Sequence, residues 1–143
     1  MQIDLKQYVA GFLLLALMSL QPGDVHARGQ SRSLTTHASG KGTLKIGSEA
    51  FNVNAAVVKL MEDGNAEISL LTEITVFVKG KWTTGEQQNV VNLELTEGAA
   101  GSLQGDGKIF LRDDGKSLDR IVLHAANKTT RRTVEVDFEA NKS

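Results

Sequence analysis

Between Ser102 and Ala140 apolar residues recur at every second position through three successive runs, each set off from the next by turn-forming residues. Leu103, Gly105, Gly107, Ile109 and Leu111 share one parity, Ile121, Leu123 and Ala125 the next, and Val134, Val136, Phe138 and Ala140 the last. The positions between those of the last run are Thr133, Glu135, Asp137 and Glu139. One dry and one wet face at a period of two is the pattern of half-buried strands, so the stretch predicts an antiparallel β-meander.

The first residues follow a different rule. Lys6 precedes an apolar run from Tyr8 to Leu20, Pro22 and Gly23 break it, and Val25-His26-Ala27 places small residues at −3 and −1 of a cleavage site. Residues 1–27 read as a secretory signal peptide. The run is shorter than the roughly 20 apolar residues that span a bilayer, so cleavage leaves no transmembrane segment. Residues 28–41 are Ser, Thr, Gly and basic residues with only Leu34 and Ala38 apolar, and predict a flexible tail that carries His37 as a solvated side chain.

A single all-β domain is expected over residues 42–143. Leu44 and Ile46 turn at Gly47-Ser48-Glu49 into Phe51, Val53, Ala55 and Val57, after which the parity changes to Val58 and Leu60, the mark of a β-bulge or of a strand covered on both faces. Glu62-Asp63-Gly64-Asn65 and Asp113-Asp114-Gly115-Lys116 both predict three-residue loops whose Gly takes φ > 0. Between them, Ala66, Ile68, Leu70, Ile74, Val76, Val78 and Trp82 are all even-numbered. At about 3.3 Å per residue that stretch is too long for one strand of a small domain, so a turn near Leu71-Thr72-Glu73 divides it in two. Val91, Leu93 and Leu95 form a further strand, and at the last hairpin odd residues meet even ones, which requires an even loop at Thr129-Thr130. Seven or eight antiparallel strands with hairpin links predict an up-and-down barrel, with a two-sheet sandwich as the alternative. Lys79, Lys81, Glu94, Lys108, Arg112, Arg120 and Glu135 on the wet faces exclude a lipid-embedded barrel.

The chain has 16 basic and 17 acidic residues, and residues 28–143 carry the two in equal number, which argues against a nucleic-acid partner. It has no cysteine, which excludes disulfides, thiolate metal ligands and a lipidated Cys, and favours a soluble periplasmic or secreted protein of bacterial type.

Small inward residues, Gly80, Gly105, Gly107, Ala55, Ala66 and Ala125, would leave room in a barrel of seven or eight strands for a modest apolar ligand or admit large neighbours such as Phe51, Trp82 and Phe138. The candidate ligand-binding residues are Trp82, Val78, Gly105, Gly107 and Phe138. Gly80-Lys81-Trp82-Thr83 resembles the Gly-x-Trp signature of lipocalins and avidins over those four residues; there it lies on the first strand, so it carries over no ligand and no site. Lys128, Arg131 and Arg132 make the densest basic spot and the candidate contact for an anion or a partner. His124 has outward parity, and Asp106, Asp113, Asp114 and Asp119 match turn-forming acids better than a calcium loop. No catalytic, metal or cofactor motif stands out. The leading expectation is a non-enzymatic binding module for a small apolar ligand or an envelope partner. An isomerase or hydrolase using His124 or an Asp at the barrel mouth, and an assembly accessory acting through a strand edge, are the alternatives.

Overall fold

The computed structural model describes residues 33–99 and 101–142, so the expected signal peptide lies outside the described residues. Eight strands follow in chain order: β1 (Leu34–Ile46), β2 (Glu49–Leu60), β3 (Asn65–Leu71), β4 (Thr75–Thr84), β5 (Val90–Gly98), β6 (Ser102–Leu111), β7 (Leu118–Asn127) and β8 (Thr133–Ala140). Each pairs antiparallel with its neighbour in sequence, and β1 pairs with β8 to close an up-and-down barrel. Among the described residues there is no helix. The two-sheet sandwich is thereby set aside.

The wall sorts side chains by parity. Two inward rows show how the interior fills. One runs Trp82, Leu93, Gly107, Leu123, Val136 and Leu44 across successive strands from β4 to β1. The next runs Gly80, Leu95, Gly105, Ala125, Val134 and Ile46. Glycine and alanine fall between large residues, so large side chains spread into the space beside them. A Cβ on Gly107 would lie 2.4 Å from Leu123 Cδ2, and one on Gly105 would lie 2.1 Å from His124 O and 2.5 Å from Ala125 Cα. Phe138 does the same at the closing ladder: a Cβ on Gly40 would meet its Cζ at 2.8 Å, and one on Gly42 its Cβ at 2.9 Å. These glycines mark close strand-to-strand and ring-to-strand approaches.

Closure also needs curvature, and the register steps by one at Ser39/Gly42, Lys79/Gly80, Leu95/Glu97 and Phe110/Leu111. Such bulges bend and twist the strands that carry them.

Several details differ from the expectations. β1 begins at Leu34, so most of the expected tail is paired strand, with His37 opposite Val57 on β2. Its inward residues Thr36, Ala38 and Gly40 are small or polar, which is why hydrophobic patterning misses it. The parity switch in β2 falls between Val53 and Ala56 instead of after Val57: Ala56, Val58 and Leu60 are buried, and Ala55 is on the other parity. The β3–β4 turn does fall where expected, at Thr72–Ile74, where Thr72 N and Oγ1 both donate to Ile74 O, at 3.0 and 2.6 Å. Ile74 belongs to that turn and not to the inward row.

The Gly64 loop is as expected. Met61 N donates to Asn65 O, Gly64 N to Met61 O, and Gly64 has φ +92°. The Gly115 loop is one residue longer than expected, since Arg112 N donates to Ser117 O around four residues. The step at Phe110/Leu111 restores the parity, and Ile109 still meets Ile121. The last loop is even, as required, but spans Lys128–Arg131 and is closed by Arg131 N to Asn127 O at 2.9 Å.

The close approaches and the left-handed turns predict opposite responses to asparagine. Gly64→Ala costs about 1–2 kcal/mol because of its φ, since nothing lies within 4 Å of the added carbon, and Gly64→Asn recovers much of the loss. Gly105→Ala costs about 1–3 kcal/mol by crowding, and Gly105→Asn costs more. Urea unfolding of the four variants reads this directly; an Asn at position 105 tolerated as well as one at 64 contradicts the close approach.

Candidate functional site

The barrel has two unlike ends. At one, the β1–β2, β3–β4, β5–β6 and β7–β8 links gather; at the other lie the β2–β3, β4–β5 and β6–β7 links. The first end opens as a groove of about 590 Å³ whose apolar walls come from Ile46, Ile74, Val76, Phe77 and Ala99. Ile74 is 68% exposed and Phe77 55%, and with Leu71 at 37% they are the exposed large hydrophobic residues of the described chain. All three lie on or beside the β3–β4 hairpin.

The backbone explains why Phe77 stays outside. On β4 the inward positions are Val76, Val78, Gly80 and Trp82, so Phe77 shares the outer parity with Thr75, Lys79 and Lys81. Its carbonyl accepts Ala99 N at 3.2 Å, which folds the β5–β6 link over the start of β4. Gly98 makes that fold possible: its φ is +144°, and a Cβ there would lie 2.5 Å from Phe77 O.

The basic spot is part of the same end. Asn127 Oδ1 accepts Thr129 N and Thr130 N, both at 2.8 Å, and shapes the β7–β8 tip. Arg132 then reaches across the rim, donating from Nη2 to Glu49 Oε1 at 3.2 Å and to Ile46 O at 3.3 Å, and its side chain lines the groove. Lys128 and Arg131 are exposed on the tip. Arg132 thus lines the apolar groove, with Lys128 and Arg131 on the same link outside its lining, a juxtaposition that sequence spacing does not reveal, since Phe77 and Arg132 are far apart in the chain. Phe77 itself left a signal, as a bulky apolar residue at a position where its strand is otherwise polar.

The other candidates lie elsewhere. Val78 and Phe138 are wholly inside, and Trp82 is nearly so, 5% exposed with Nε1 donating to Met61 O at 2.8 Å. Trp82 N also donates to Gly64 O, so this tryptophan anchors the β2–β3 hairpin at the far end from the groove. Gly105 and Gly107 sit in the inward rows between larger side chains. None of the five lines the groove.

His124 is on the outer wall, cross-strand from Asp106 and Glu135 and bordering two outer hollows of about 410 and 330 Å³. The outward parity expected of His124 holds, and the alternative that uses His124 or an Asp at the barrel mouth loses its histidine. General acid–base work needs a hydrogen-bond partner within reach of the imidazole, and the ring makes no such bond to Asp106 or Glu135. Among the described residues no group of three His, Cys, Asp or Glu side chains is arranged to hold a metal ion.

Asp114 is a turn former. It accepts Lys116 N at 2.8 Å, Ser117 N at 2.7 Å and the Ser117 hydroxyl, and these bonds, led by those from Ser117, hold its carboxyl down from 3.8 to about 2. On the outer wall the Arg120 guanidinium is raised above its usual range by its hydrogen bonds to Asp137, at 2.9 and 3.2 Å. No protein-family model, curated protein or solved structure matches this chain.

The lowered Asp114 pKa fixes a sign. Its contribution is complete above the unfolded value near 3.8 and is lost as pH falls from there through about 2. The difference in urea midpoint between wild type and Asp114→Ala is therefore constant above pH 5 and closes between about pH 4 and pH 2. A difference that does not change with pH contradicts the assignment.

Proposed function

We propose that this chain is an exported, non-enzymatic binding module that accepts an apolar group at the barrel mouth. The observation that carries the reading is the exposure of Ile74 and Phe77 beside a groove of about 590 Å³. Burying such side chains is worth about 1.5–3 kcal/mol each, and a soluble protein seldom leaves clustered ones in water without a use. An open, largely apolar concavity with a few polar groups at its border is the usual form of a small-molecule site. Arg132 and Glu49 supply those polar groups.

The mouth suits binding better than catalysis. Of its charged groups Arg132 is paired with Glu49, Lys79 and Glu97 lie on the facing strands β4 and β5, and His124 lies outside it. The packed inward rows favour the mouth over the interior as the place where a ligand sits. The strand-edge alternative loses its support along Gly40–Ile46, where β1 is paired with both β2 and β8. Export rests on the leader-like residues 1–27, and the protein recovered from an exporting host then begins at Arg28.

The environment-sensitive probe N-phenyl-1-naphthylamine tests the reading. It binds saturably, and Ile74→Ser with Phe77→Ser weakens binding by about tenfold or more while the melting temperature changes little, because both side chains are exposed. Trp82 emission stays unchanged, since the indole lies at the far end. Binding unaffected by the double substitution, or accompanied by a shift in Trp82 emission, contradicts the mouth as the site.

A further inference from the structure

The two ends of the barrel differ in charge as well as in shape. The loops of the groove end carry Lys128, Arg131 and Arg132 against Glu73. Those of the far end, with the segment after β8, carry Glu62, Asp63, Glu86, Asp113 and Asp114 against Arg112, Lys116 and Lys142. A nearly neutral chain is therefore polarised along the barrel axis, positive where its exposed apolar side chains are.

From this juxtaposition we infer that the groove end docks on the surface of an anionic lipid bilayer, with Ile74 and Phe77 entering the interface and Lys128 and Arg131 facing the headgroups. The inference rests on the reading of the mouth as an apolar site, and names where the apolar group comes from. Three features fit one flat partner. The β3–β4 and β7–β8 links lie at the same end of the barrel, so a surface laid across that end faces both. Lys128 and Arg131 are exposed, whereas Arg132 is held by Glu49 and Ile46 O and serves to fix the tip to the rim. The acidic far end is repelled by the same surface, which sets one orientation. Apolar insertion and electrostatic attraction act together in interfacial binding, and each basic side chain near an anionic surface adds about a fivefold gain in partitioning.

Flotation with vesicles of one part phosphatidylglycerol to two parts phosphatidylcholine, against vesicles of phosphatidylcholine alone, tests the inference on protein recovered from an exporting host. The protein floats with the anionic vesicles, less so at raised salt, and only weakly with the neutral ones. Lys128→Gln with Arg131→Gln lowers partitioning about 25-fold and leaves N-phenyl-1-naphthylamine binding intact, while Phe77→Ser lowers both. Equal flotation with both vesicle types, or anionic flotation unaffected by the charge substitutions, overturns the inference. No flotation with probe binding intact overturns the bilayer as the partner alone; loss of both in the wild type overturns the mouth reading beneath it. Self-association that Phe77→Ser abolishes, with no lipid dependence, assigns the end to a second copy of the chain and likewise overturns the inference.

Discussion

The ladder between β1 and β8 is the constraint on which everything else in this molecule depends. Its register, from Gly40 opposite Ala140 to Ile46 opposite Val134, converts a meander of hairpins into a cylinder. The two strands come close enough for this only because Gly40 and Gly42 carry no side chain: a Cβ at either would strike the carbonyl of Glu139 or Asp137, at 2.2 and 2.4 Å. The Phe138 ring lies against the space these glycines leave. Once the sheet is closed, every side chain on the wall points either into the core or out to solvent, and the edges of β8 and of Gly40–Ile46 are consumed.

Closure also decides where a binding surface can form. Leu44, Ile121, Leu123 and Phe138 are fully buried, so the interior is where the fold gains its stability. The outer wall is mostly charged and polar, with Arg120 paired to Asp137 across β7 and β8. The two ends remain. The far end is tied down by Trp82, whose indole holds the β2–β3 hairpin, and by Asp114, which organises the β6–β7 loop. At the groove end Ile74 and Phe77 are left in water, and Arg132 bridges two hairpins at the rim. Apolar exposure and positive charge thus coincide at one place, and the proposed function follows from that coincidence.

How much of this was legible in the sequence depends on whether an element announces itself by bulk. β8, with Val134, Val136, Phe138 and Ala140 against Thr133, Glu135, Asp137 and Glu139, is written plainly, and so is the division of β3 from β4. The start of β1 is not, because its inward residues are Thr36, Ala38, Gly40 and Gly42; the first two are set by pairing with β2, and the glycines face a phenylalanine nearly one hundred residues away. A loop of odd length at Gly115 would set odd residues such as Ile109 opposite odd residues such as Ile121; the loop is even, and a bulge at the end of β6 restores that parity. The site was the least legible part. Trp82 stood out by its rarity and proved to be a structural anchor, whereas Phe77 stood out only by breaking the pattern of its strand, and Arg132 joined it only through closure.

The central claim is the closed ladder, and cross-strand nuclear Overhauser contacts between β1 and β8 test it most directly. Backbone contacts between Thr43 and Asp137 and between Lys41 and Glu139, with slowly exchanging amides along both strands, are the predicted result. Absence of those contacts, with rapid exchange along residues 40–46 while β6 and β7 remain protected, would show an open sheet and contradict the account.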